Sequence, residues 1–388
     1  MAKYNLETYA DIPRLLEDQK YAKMKGLKVK KQGELYIIKY NKPFLQKNNL
    51  DTLGLFRSII TDGKRLISFS PPKSIPFQSF TSQYTPENSI IEEFVEGTMI
   101  NCFYHNNKWV LATRWNIGAN TRYFQDHKQT FKEMFDNAVL EKSIPLDTLD
   151  KTKSYSFVLQ HPNNRIVVPF LESNLVLVAV YELNEWTAKE VPRNIKMCSP
   201  QIYTDLFLWE NVKQTFASPN THYHIMGIVM KHTSGKRSKI RNPIYEKVRQ
   251  LKGNSPKIQF QYYNLYQLGR VKEYLHYYPE HKTLFATFRN ELFMWTNELW
   301  RLYHNYYVHK TIAIDDVSYP LRPHIRTLHR IYLNELREKK LYVSKNIVIN
   351  YVYQLPPAKL MYAINYPLRQ KKRDDVKGVI QNCASNEV

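Results

Sequence analysis

The chain has 388 residues, with 56 Lys and Arg against 35 Asp and Glu, which gives a formal charge of +21. An apolar content of 43% is enough to build hydrophobic cores and excludes wholesale disorder. No window approaches about 18 uncharged apolar residues, which excludes a membrane-spanning helix. The N-terminal residues lack the apolar core of a secretory signal, and Cys102, Cys198 and Cys383 are too scattered for a disulfide scaffold or a zinc site. We therefore expect a soluble protein of a reducing intracellular compartment.

The positive excess favours a polyanionic partner, most often nucleic acid. Glycine is scarce, with 11 residues, where average usage would give roughly 27. Neither GxGxxG nor GxxxxGK followed by Ser or Thr occurs. The sequence thus excludes nucleotide binding by a glycine-rich loop, and side chains would have to hold any bound nucleotide.

The first half of the chain is typical of short strands with a few helices. Apolar runs and alternation predict strands at residues 34–40, 56–61, 65–70, 100–104, 109–114, 154–160, 166–170, 175–183 and 225–230. Helical spacing predicts an amphipathic helix at 128–141, and the Asp-Gly pair within 61–64 predicts a hairpin turn. Residues 70–89 are rich in Ser, Pro and Thr, which indicates an exposed connection.

After about Gly253 the pattern becomes helical. Apolar stripes at helical spacing run from Leu284 to Tyr303 and from Ile325 to Leu336, and a third helix is predicted at 358–363. The predicted fold class is α+β, with an α+β domain of antiparallel sheets and helices at 1–253. A helical domain at 254–366 and a basic, polar tail at 367–388 are predicted to follow it.

The densest basic segment is 231–252, which carries one acid, Glu246. Its cations are Lys231, Lys236, Arg237, Lys239, Arg241, Lys247, Arg249 and Lys252. A charge run of this kind is usually a solvated face, but this one follows an apolar strand. Lys239 and Arg241 are two residues apart and would point the same way from a strand. Such a pair suits phosphate, Lys as a point charge and Arg as a fork.

Five motifs, in order, resemble those of the phage-type RNA ligase family, relatives of DNA ligases and mRNA capping enzymes. LFRSII (55–60), DGK (62–64) and SPPK (70–73) resemble "RGI…G…RPxxKFF", and EEFVEGTMI (92–100) is similar to "EKxDGSLI". FVLQHPNNRIV (157–167) resembles "FEFVxPxNRIV", MGIVMK (226–231) resembles "EGIVVK", and KIRN (239–242) with Tyr245 resembles "KxKxxxY". The resemblance implies a nucleotidyltransferase domain with a helical appendage.

The departures from the family pattern indicate a degenerate member. Family members use a lysine that attacks ATP and becomes lysyl-AMP, and Phe94 stands at that position. Glu96 replaces the motif aspartate, which is a tolerable change. Val158 and Met226 replace two carboxylates that help to place a divalent cation and the nucleotide. The cations persist, with Lys231 and Lys239 at matching positions and Arg241 in place of the family's second lysine.

The resemblance therefore implies a phosphate-facing site without a nucleophile. The predicted nucleotide- or phosphate-binding residues are Arg57, Lys73, Glu96, Gly97, Arg165, Lys231, Lys239 and Arg241. The predicted nucleic-acid surface comprises Lys236, Arg237, Lys247, Arg249 and Lys252. No catalytic residue, metal site or cofactor is expected. His222 and His224 lack a third ligand nearby in sequence, which favours a half-exposed strand over a metal pair.

Three functions remain open. The first is a non-covalent nucleic-acid- or nucleotide-binding protein, with RNA favoured over DNA. The second is an active nucleotidyltransferase with a displaced nucleophile, Lys73 or Lys64, which would need ATP and Mg²⁺. The third is a basic structural protein of a virion or viral factory, because the Lys-, Asn- and Tyr-rich, Gly-poor composition resembles that of ligase-like proteins of large DNA viruses. The sequence leaves the oligomeric state open.

Overall fold

The computed structural model describes residues 2–122, 129–255, 257–371 and 373–374. Two compact units divide the chain, the first ending at Gln250 and the second beginning at Leu251. None of the helices within the described ranges is both long enough and apolar enough to span a bilayer.

Strands are confined to the first unit among the described residues. In chain order they are β1 (Lys3–Asn5), β2 (Leu27–Gln32), β3 (Leu35–Tyr40), β4 (Ile59–Thr61), β5 (Leu66–Phe69), β6 (Ser89–Glu93), β7 (Thr98–His105), β8 (Lys108–Ala112), β9 (Lys153–Gln160), β10 (Asn174–Asn184), β11 (Thr187–Val191), β12 (Ile202–Tyr203), β13 (Gly227–His232) and β14 (Arg237–Arg241). The α-helices are α1 (Ile12–Glu17), α2 (Gln19–Met24), α3 (Phe77–Thr81), α4 (Phe131–Glu141), α5 (Trp209–Ala217), α6 (Pro243–Lys252), α7 (Ile258–Gln267), α8 (Val271–Tyr277), α9 (Lys282–Tyr303), α10 (Arg322–Ile331), α11 (Lys345–Gln354) and α12 (Pro357–Ile364).

The strands form three sheets in which every strand pairing is antiparallel. The first sheet has the order β1-β11-β10-β9-β7-β8, the second β12-β6-β13-β14 and the third β2-β3-β4-β5. The predicted α+β class, with antiparallel sheets followed by a helical region, is confirmed.

Buried apolar side chains of the three sheets form the cores of the first unit. Phe135 of α4 packs on the first sheet against Phe157, with ring centroids 5.8 Å apart. Helix α4 begins at a capping box in which Thr130 Oγ1 accepts from the Glu133 amide at 3.2 Å and Glu133 Oε2 accepts from the Thr130 amide at 2.6 Å. Helices α3 and α5 cover the apolar face of the second sheet, where Phe80 and Val212 are fully buried. The opposite face of the second sheet is thus left for charged side chains.

Most predicted strands are confirmed within a few residues, as is the hairpin turn. Gly63 lies between the paired strands β4 and β5 with a φ of 93°, a conformation that glycine adopts without strain. The predicted strand at 166–170 is wrong, because this segment pairs with no strand of the described ranges and the amides of Val167 and Val168 are bonded to a side chain. Residues 70–89 are also not an exposed connection throughout, since Ser70 and Phe80 are buried and α3 lies within the segment. Lys128, the predicted first residue of α4, lies outside the described residues.

The second unit is helical throughout its described part. Helix α9 packs against α7, α10, α11 and α12. The predicted apolar stripe is confirmed from Phe288 to Tyr303, but Phe285 is buried in place of Leu284, which is 38% exposed. Two π-helical segments, His304–Val308 and Tyr332–Leu336, extend α9 and α10. Most of the predicted tail lies beyond the described residues.

Candidate functional site

Strand β14 carries three cations on one face of the second sheet. It pairs with β13 so that Lys239 lies opposite Val229 and Arg237 opposite Lys231. Because side chains alternate across a strand, Arg237, Lys239 and Arg241 share a face. The intervening Ser238 points the other way and donates to the Ile75 carbonyl at 2.9 Å. The alternation predicted for Lys239 and Arg241 is confirmed, and Arg237 joins them. We call these three residues the cation row.

Phe94 lies under the cation row. Strand β6 ends one residue earlier, and the Phe94 amide donates to the Gly227 carbonyl at 3.3 Å. The Phe94 ring centroid is 4.8 Å from Lys239 Nζ and 5.7 Å from Arg241 Cζ. An aromatic ring at such distances attracts a cation by about 0.5–2 kcal/mol. A hydrocarbon ring facing two cations therefore occupies the position that the resemblance gives to the nucleophile.

Arg57 and Lys73 bring two further cations to the row. Arg57 Nη1 donates to the Pro71 carbonyl at 3.5 Å, and the Lys73 amide donates to the Gly54 carbonyl at 2.9 Å. The pKa of Arg57 is lowered to about 10, mainly by burial and also by the nearby charge of Arg237. Burial also lowers the pKa of Lys73, assisted by Arg57 and Arg241. We call the row with Arg57 and Lys73 the cation cluster.

Lys239 is influenced by the charges of the four other members of the cation cluster. The pKa of its ammonium is lowered to about 7, first by burial and then by the charges of Arg57, Arg241, Lys73 and Arg237. A lysine surrounded by four cations holds its proton weakly, because the charged form is desolvated and repelled. An anion placed among these side chains would relieve both effects.

Carboxylates are scarce around the cation cluster. Within the described part of the chain, none lies within 4.0 Å of the cationic nitrogens of Arg57, Lys73, Arg237 or Lys239, whereas Arg241 Nη1 lies 3.1 Å from Glu246 Oε2. The Nε atoms of Arg237 and Arg241 are buried and have no hydrogen-bond partner among the described residues. Buried donors of this kind are normally satisfied, so these two are positioned to receive an acceptor.

Lys231 shares the sheet face but is compensated by acids. Its Nζ lies 2.7 Å from Glu92 Oε1 and 3.4 Å from Glu190 Oε1. Glu92 is 3% exposed, and its Oε2 lies 2.9 Å from Arg193 Nη2. Burial alone would raise the pKa of Glu92, but Lys231 and Arg193 hold it below its ordinary value. The phosphate-binding role of Lys231 stays a prediction, and its ammonium is already bonded to two carboxylates.

The Glu96 carboxylate is hydrogen-bonded to the backbone of the loop that contains Val167 and Val168. Its Oε1 accepts from the amides of Val167 and Val168 at 2.8 and 2.9 Å. These bonds satisfy two amides of the segment that the sequence predicted as a strand, which explains why it pairs with no strand. Burial raises the pKa of the neighbouring Tyr245, and the Glu96 charge raises it further.

Position 97 requires glycine, because its backbone lies too close to the backbone of Leu159 to leave room for a Cβ. Its φ is 144°, and a Cβ at this position would lie 2.4 Å from the Leu159 carbonyl oxygen. This contact gives Gly97 a packing role, and its proposed role in phosphate binding stays a prediction.

Val158 and Met226, where the resembled motifs have acids, lie in apolar or backbone-bonded surroundings. Val158 is buried with Val95 and Val176, and Val178 packs against them. The Met226 carbonyl accepts from the Asn242 amide at 3.1 Å. In the described ranges, no group of three or more His, Cys, Asp or Glu side chains could hold a metal ion.

His222 and His224 do not lie on a strand, which corrects that prediction. Their segment precedes β13 and forms a turn in which the Ile225 amide donates to the His222 carbonyl at 3.0 Å. The Asn242 side chain holds the turn by donating to the carbonyls of Thr221, His222 and Ile225.

The other predicted cations lie apart from the row or have contacts of their own. Arg165 Nε donates to the Val167 carbonyl at 2.9 Å, and Lys236 pairs with Asp51. The remaining three lie on α6, where Arg249 Nε donates to Glu246 at 3.0 Å, Lys247 is exposed, and Lys252 lies 5.5 Å from the Tyr278 ring within the second unit. Of the predicted residues, the structure thus brings together Arg57, Lys73, Arg237, Lys239 and Arg241.

Sequence reasoning missed the compensating network and one neighbouring cation. Glu92 is two residues before Phe94, so alternation along the strand could have placed its carboxylate on the same face. No pattern in the sequence indicated that Arg193 would contact it. Arg114 was also missed: its Nε donates to the Arg57 carbonyl at 3.3 Å, and its guanidinium lies 4.7 Å from the Tyr40 ring centroid.

No family model matches the chain, and no curated protein matches it. Solved structures of ATP-dependent ligases are similar to it. An archaeal ATP-dependent RNA ligase is 12% identical with a TM-score of 0.38, covering 93% of this chain and 79% of that one. A putative ATP-dependent DNA ligase from Aquifex aeolicus is 12% identical with a TM-score of 0.37, covering 91% and 77%. A Naegleria gruberi RNA ligase variant with ATP and Mn is 14% identical with a TM-score of 0.34, covering 46% and 58%. Functional conclusions must therefore come from the residues of this chain.

Proposed function

We propose that this protein is an RNA-ligase-like nucleic-acid- or nucleotide-binding protein that holds phosphates without forming a covalent lysyl adduct. The observation that carries the proposal is the cation cluster: five cations share one site with few carboxylates among the described residues, and the Phe94 ring lies against Lys239. The motif resemblance assigns the nucleophile position to Phe94. RNA is the preferred partner in the proposal, since the motif resemblance is to RNA ligases.

The chemistry of the cluster suits phosphate binding. Arginine presents a planar fork that can bond two phosphate oxygens, and lysine adds a point charge. Phosphate oxygens would satisfy the buried Nε atoms of Arg237 and Arg241, which have no acceptor. Bringing an anion in would also lift the mutual repulsion that lowers the pKa values of Lys239 and Lys73.

The same site is poorly suited to adenylylation through the family's lysine position. The benzyl group of Phe94 has no lone pair to attack phosphorus. The valine cluster around Val158 offers no oxygen ligand to a divalent cation, which prefers carboxylates and water. ATP and Mg²⁺ are therefore not part of the proposed activity.

The proposal is tested by equilibrium binding of a single-stranded RNA to the intact protein and to Lys239→Gln and Arg57→Gln variants. Each variant removes one phosphate-facing charge, so we expect a roughly tenfold weaker affinity. Lys20→Gln, on the exposed surface of α2, removes the same charge elsewhere and should leave the affinity within about twofold. Absence of binding to RNA, DNA and nucleotides would contradict the proposal.

A second candidate is a nucleotidyltransferase with a displaced nucleophile, favoured by the lowered pKa values of Lys73 and Lys239. A neutral lysine amine could attack the α-phosphorus of ATP, releasing pyrophosphate and losing a proton. Lys64, the other candidate from the sequence, is exposed beside the β4–β5 turn. Incubation with α-labelled ATP and Mg²⁺ or Mn²⁺ tests this alternative. A label that survives denaturation and disappears in Lys73→Ala or Lys239→Ala would establish it and overturn the non-covalent proposal.

A further inference from the structure

A cavity of about 590 Å³ lies in the second unit, beside helix α9. Its other walls are the loop 318–321, which precedes α10, and the segment 363–367, where α12 ends. Leu321 and Ala363 are buried and contribute apolar surface to the lining. Small molecules bind in cavities of about 300–1,000 Å³ that combine apolar walls with a few polar groups. The cavity is therefore large enough for a small organic ligand.

The charges that line this cavity differ from those of the chain as a whole. Among the described residues, Glu291, Glu298 and Arg301 are the charged members of the lining, in a chain with 56 Lys and Arg against 35 Asp and Glu. Arg301 contacts Glu298 through Nε and Nη2 at 2.8 and 2.7 Å. Glu291 accepts from Gln259 Nε2 at 3.3 Å and has no ion pair with a described residue. The lining thus has one negative charge in excess, which suits a cation.

Aromatic and thioether groups lie between the two glutamates along α9. Met294 and Trp295 follow Glu291 by three and four residues, and all of them line the cavity with Glu298. Positions with these spacings share one face of a helix. Aromatic faces attract ammonium ions, and the thioether of methionine packs readily against alkyl chains. The order of acid, aromatic ring and acid favours an alkyl chain with a cationic group at each end.

Asn297 gives an independent indication of a ligand that donates hydrogen bonds. It lines the cavity, and its Oδ1 atom is buried without a hydrogen-bond partner among the described residues. Buried acceptors are normally bonded to a donor. Ammonium groups offer N–H donors and no acceptor, so they are the complement of this oxygen.

The spacing of the two glutamates defines the length of the ligand. Seven residues of helix separate Glu291 from Glu298, which is about 10.5 Å along the axis. An extended chain of single bonds advances roughly 1.25 Å per bond, so ammonium groups about eight or nine bonds apart match this distance. Spermidine and the terminal diamine of heptane have this separation. The ion pair with Arg301 leaves Glu298 able to bind, because exposed ion pairs are weak and a carboxylate accepts from several donors.

We propose that this cavity binds a linear polyamine whose terminal ammonium groups are about 10 Å apart. Glu291 holds one end and Glu298 the other, and the methylene chain lies against Trp295. The site is separate from the cation cluster and does not depend on the proposed function.

The test is isothermal titration calorimetry on the full chain, purified free of nucleic acid. Spermidine and the terminal diamine of heptane should bind roughly tenfold more tightly than heptylamine, which has the same alkyl chain as the diamine and one ammonium group. The terminal diamine of propane should bind no more tightly than heptylamine, because its nitrogens are about 5 Å apart.

Variants of the lining locate the binding. Glu291→Gln and Glu298→Gln should each remove the advantage of the heptane diamine over heptylamine, because one carboxylate remains. Glu338→Gln changes an exposed acid of the second unit outside the lining and should preserve that advantage. Trp295→Leu should weaken the binding of both amines roughly threefold.

Circular dichroism of each variant checks that the fold is retained. Equal binding of heptylamine and the heptane diamine would overturn the site, as would the absence of binding to every amine. An advantage of the diamine that persists in both glutamate variants would also overturn it. Each of these results leaves the proposed function intact, because none of them involves the cation cluster.

Discussion

Two sets of cations share one face of the second sheet, and their surroundings differ. Lys231 and Arg193 contact the buried carboxylate of Glu92, and Lys231 also reaches Glu190. Among the described residues, the cation cluster of Arg57, Lys73 and the row has one ion pair, between Arg241 and Glu246. The first set is balanced within the protein and supports the fold. In the described part of the chain the second has one carboxylate for five cations, which is the condition expected of a site that binds an external anion.

The largest effect is expected when the balanced set loses its acid. Glu92→Gln would leave the partly buried Lys231 and Arg193 without their shared carboxylate, which costs about 3–5 kcal/mol of unfolding free energy. Urea denaturation measures the loss. Glu17→Gln, on an exposed helix position, is the matched control and should change stability by less than about 0.5 kcal/mol. A loss of unfolding free energy in Glu92→Gln as small as in the control would show that the ion pairs of Glu92 do not stabilise the fold.

Removal of a charge from the cation cluster should not lower the unfolding free energy. Lys239→Met removes a buried, repelled charge, so the unfolding free energy should stay the same or rise by roughly 1 kcal/mol. RNA affinity should nevertheless fall about tenfold, because one phosphate contact is lost. Denaturation and binding measured on the same preparation separate the two effects. A marked loss of stability would mean that Lys239 supports the fold as Lys231 does.

A pH titration sharpens the comparison, because the pKa of Lys239 is lowered to about 7 by burial and its cationic neighbours. Between about pH 7 and pH 10 the unfolded chain holds this proton and the folded chain does not, so the unfolding free energy should rise with pH in this window. RNA affinity should fall severalfold over the same range as the ammonium loses its charge. Both trends should be reduced in Lys239→Gln. An unchanged pH profile in this variant would assign the titration to another group.

The smallest effect concerns the Phe94 ring beside the cation row. Phe94→Leu retains an apolar side chain but removes the aromatic face opposite Lys239 and Arg241, which should cost about 0.5–1 kcal/mol of stability. RNA affinity should change less than it does in Lys239→Met. Thermal denaturation with parallel RNA binding measures both, and a larger loss of affinity than in Lys239→Met would give Phe94 a direct role in the ligand contact.

The fold was predictable where local pattern determines it. Alternation placed Lys239 and Arg241 on one face, and the Asp-Gly pair gave the turn after β4. The 166–170 segment was mispredicted because its amides are bonded to Glu96, about seventy residues earlier in the chain. The sequence could likewise identify Lys231 as a cation but not its pairing with Glu92 and Glu190. Long-range contacts of this kind decide which charges remain available, and they leave no local pattern.

The central claim, that the cation cluster contacts several phosphates without covalent chemistry, is tested most directly by the salt dependence of RNA binding. For single strands, log K falls with log salt by about 0.7 per phosphate contact. Five contacts therefore predict a slope near −3.5 for the wild-type protein, reduced by about 0.7 in Lys239→Gln. A slope near zero, or one that Lys239→Gln leaves unchanged, would contradict the account.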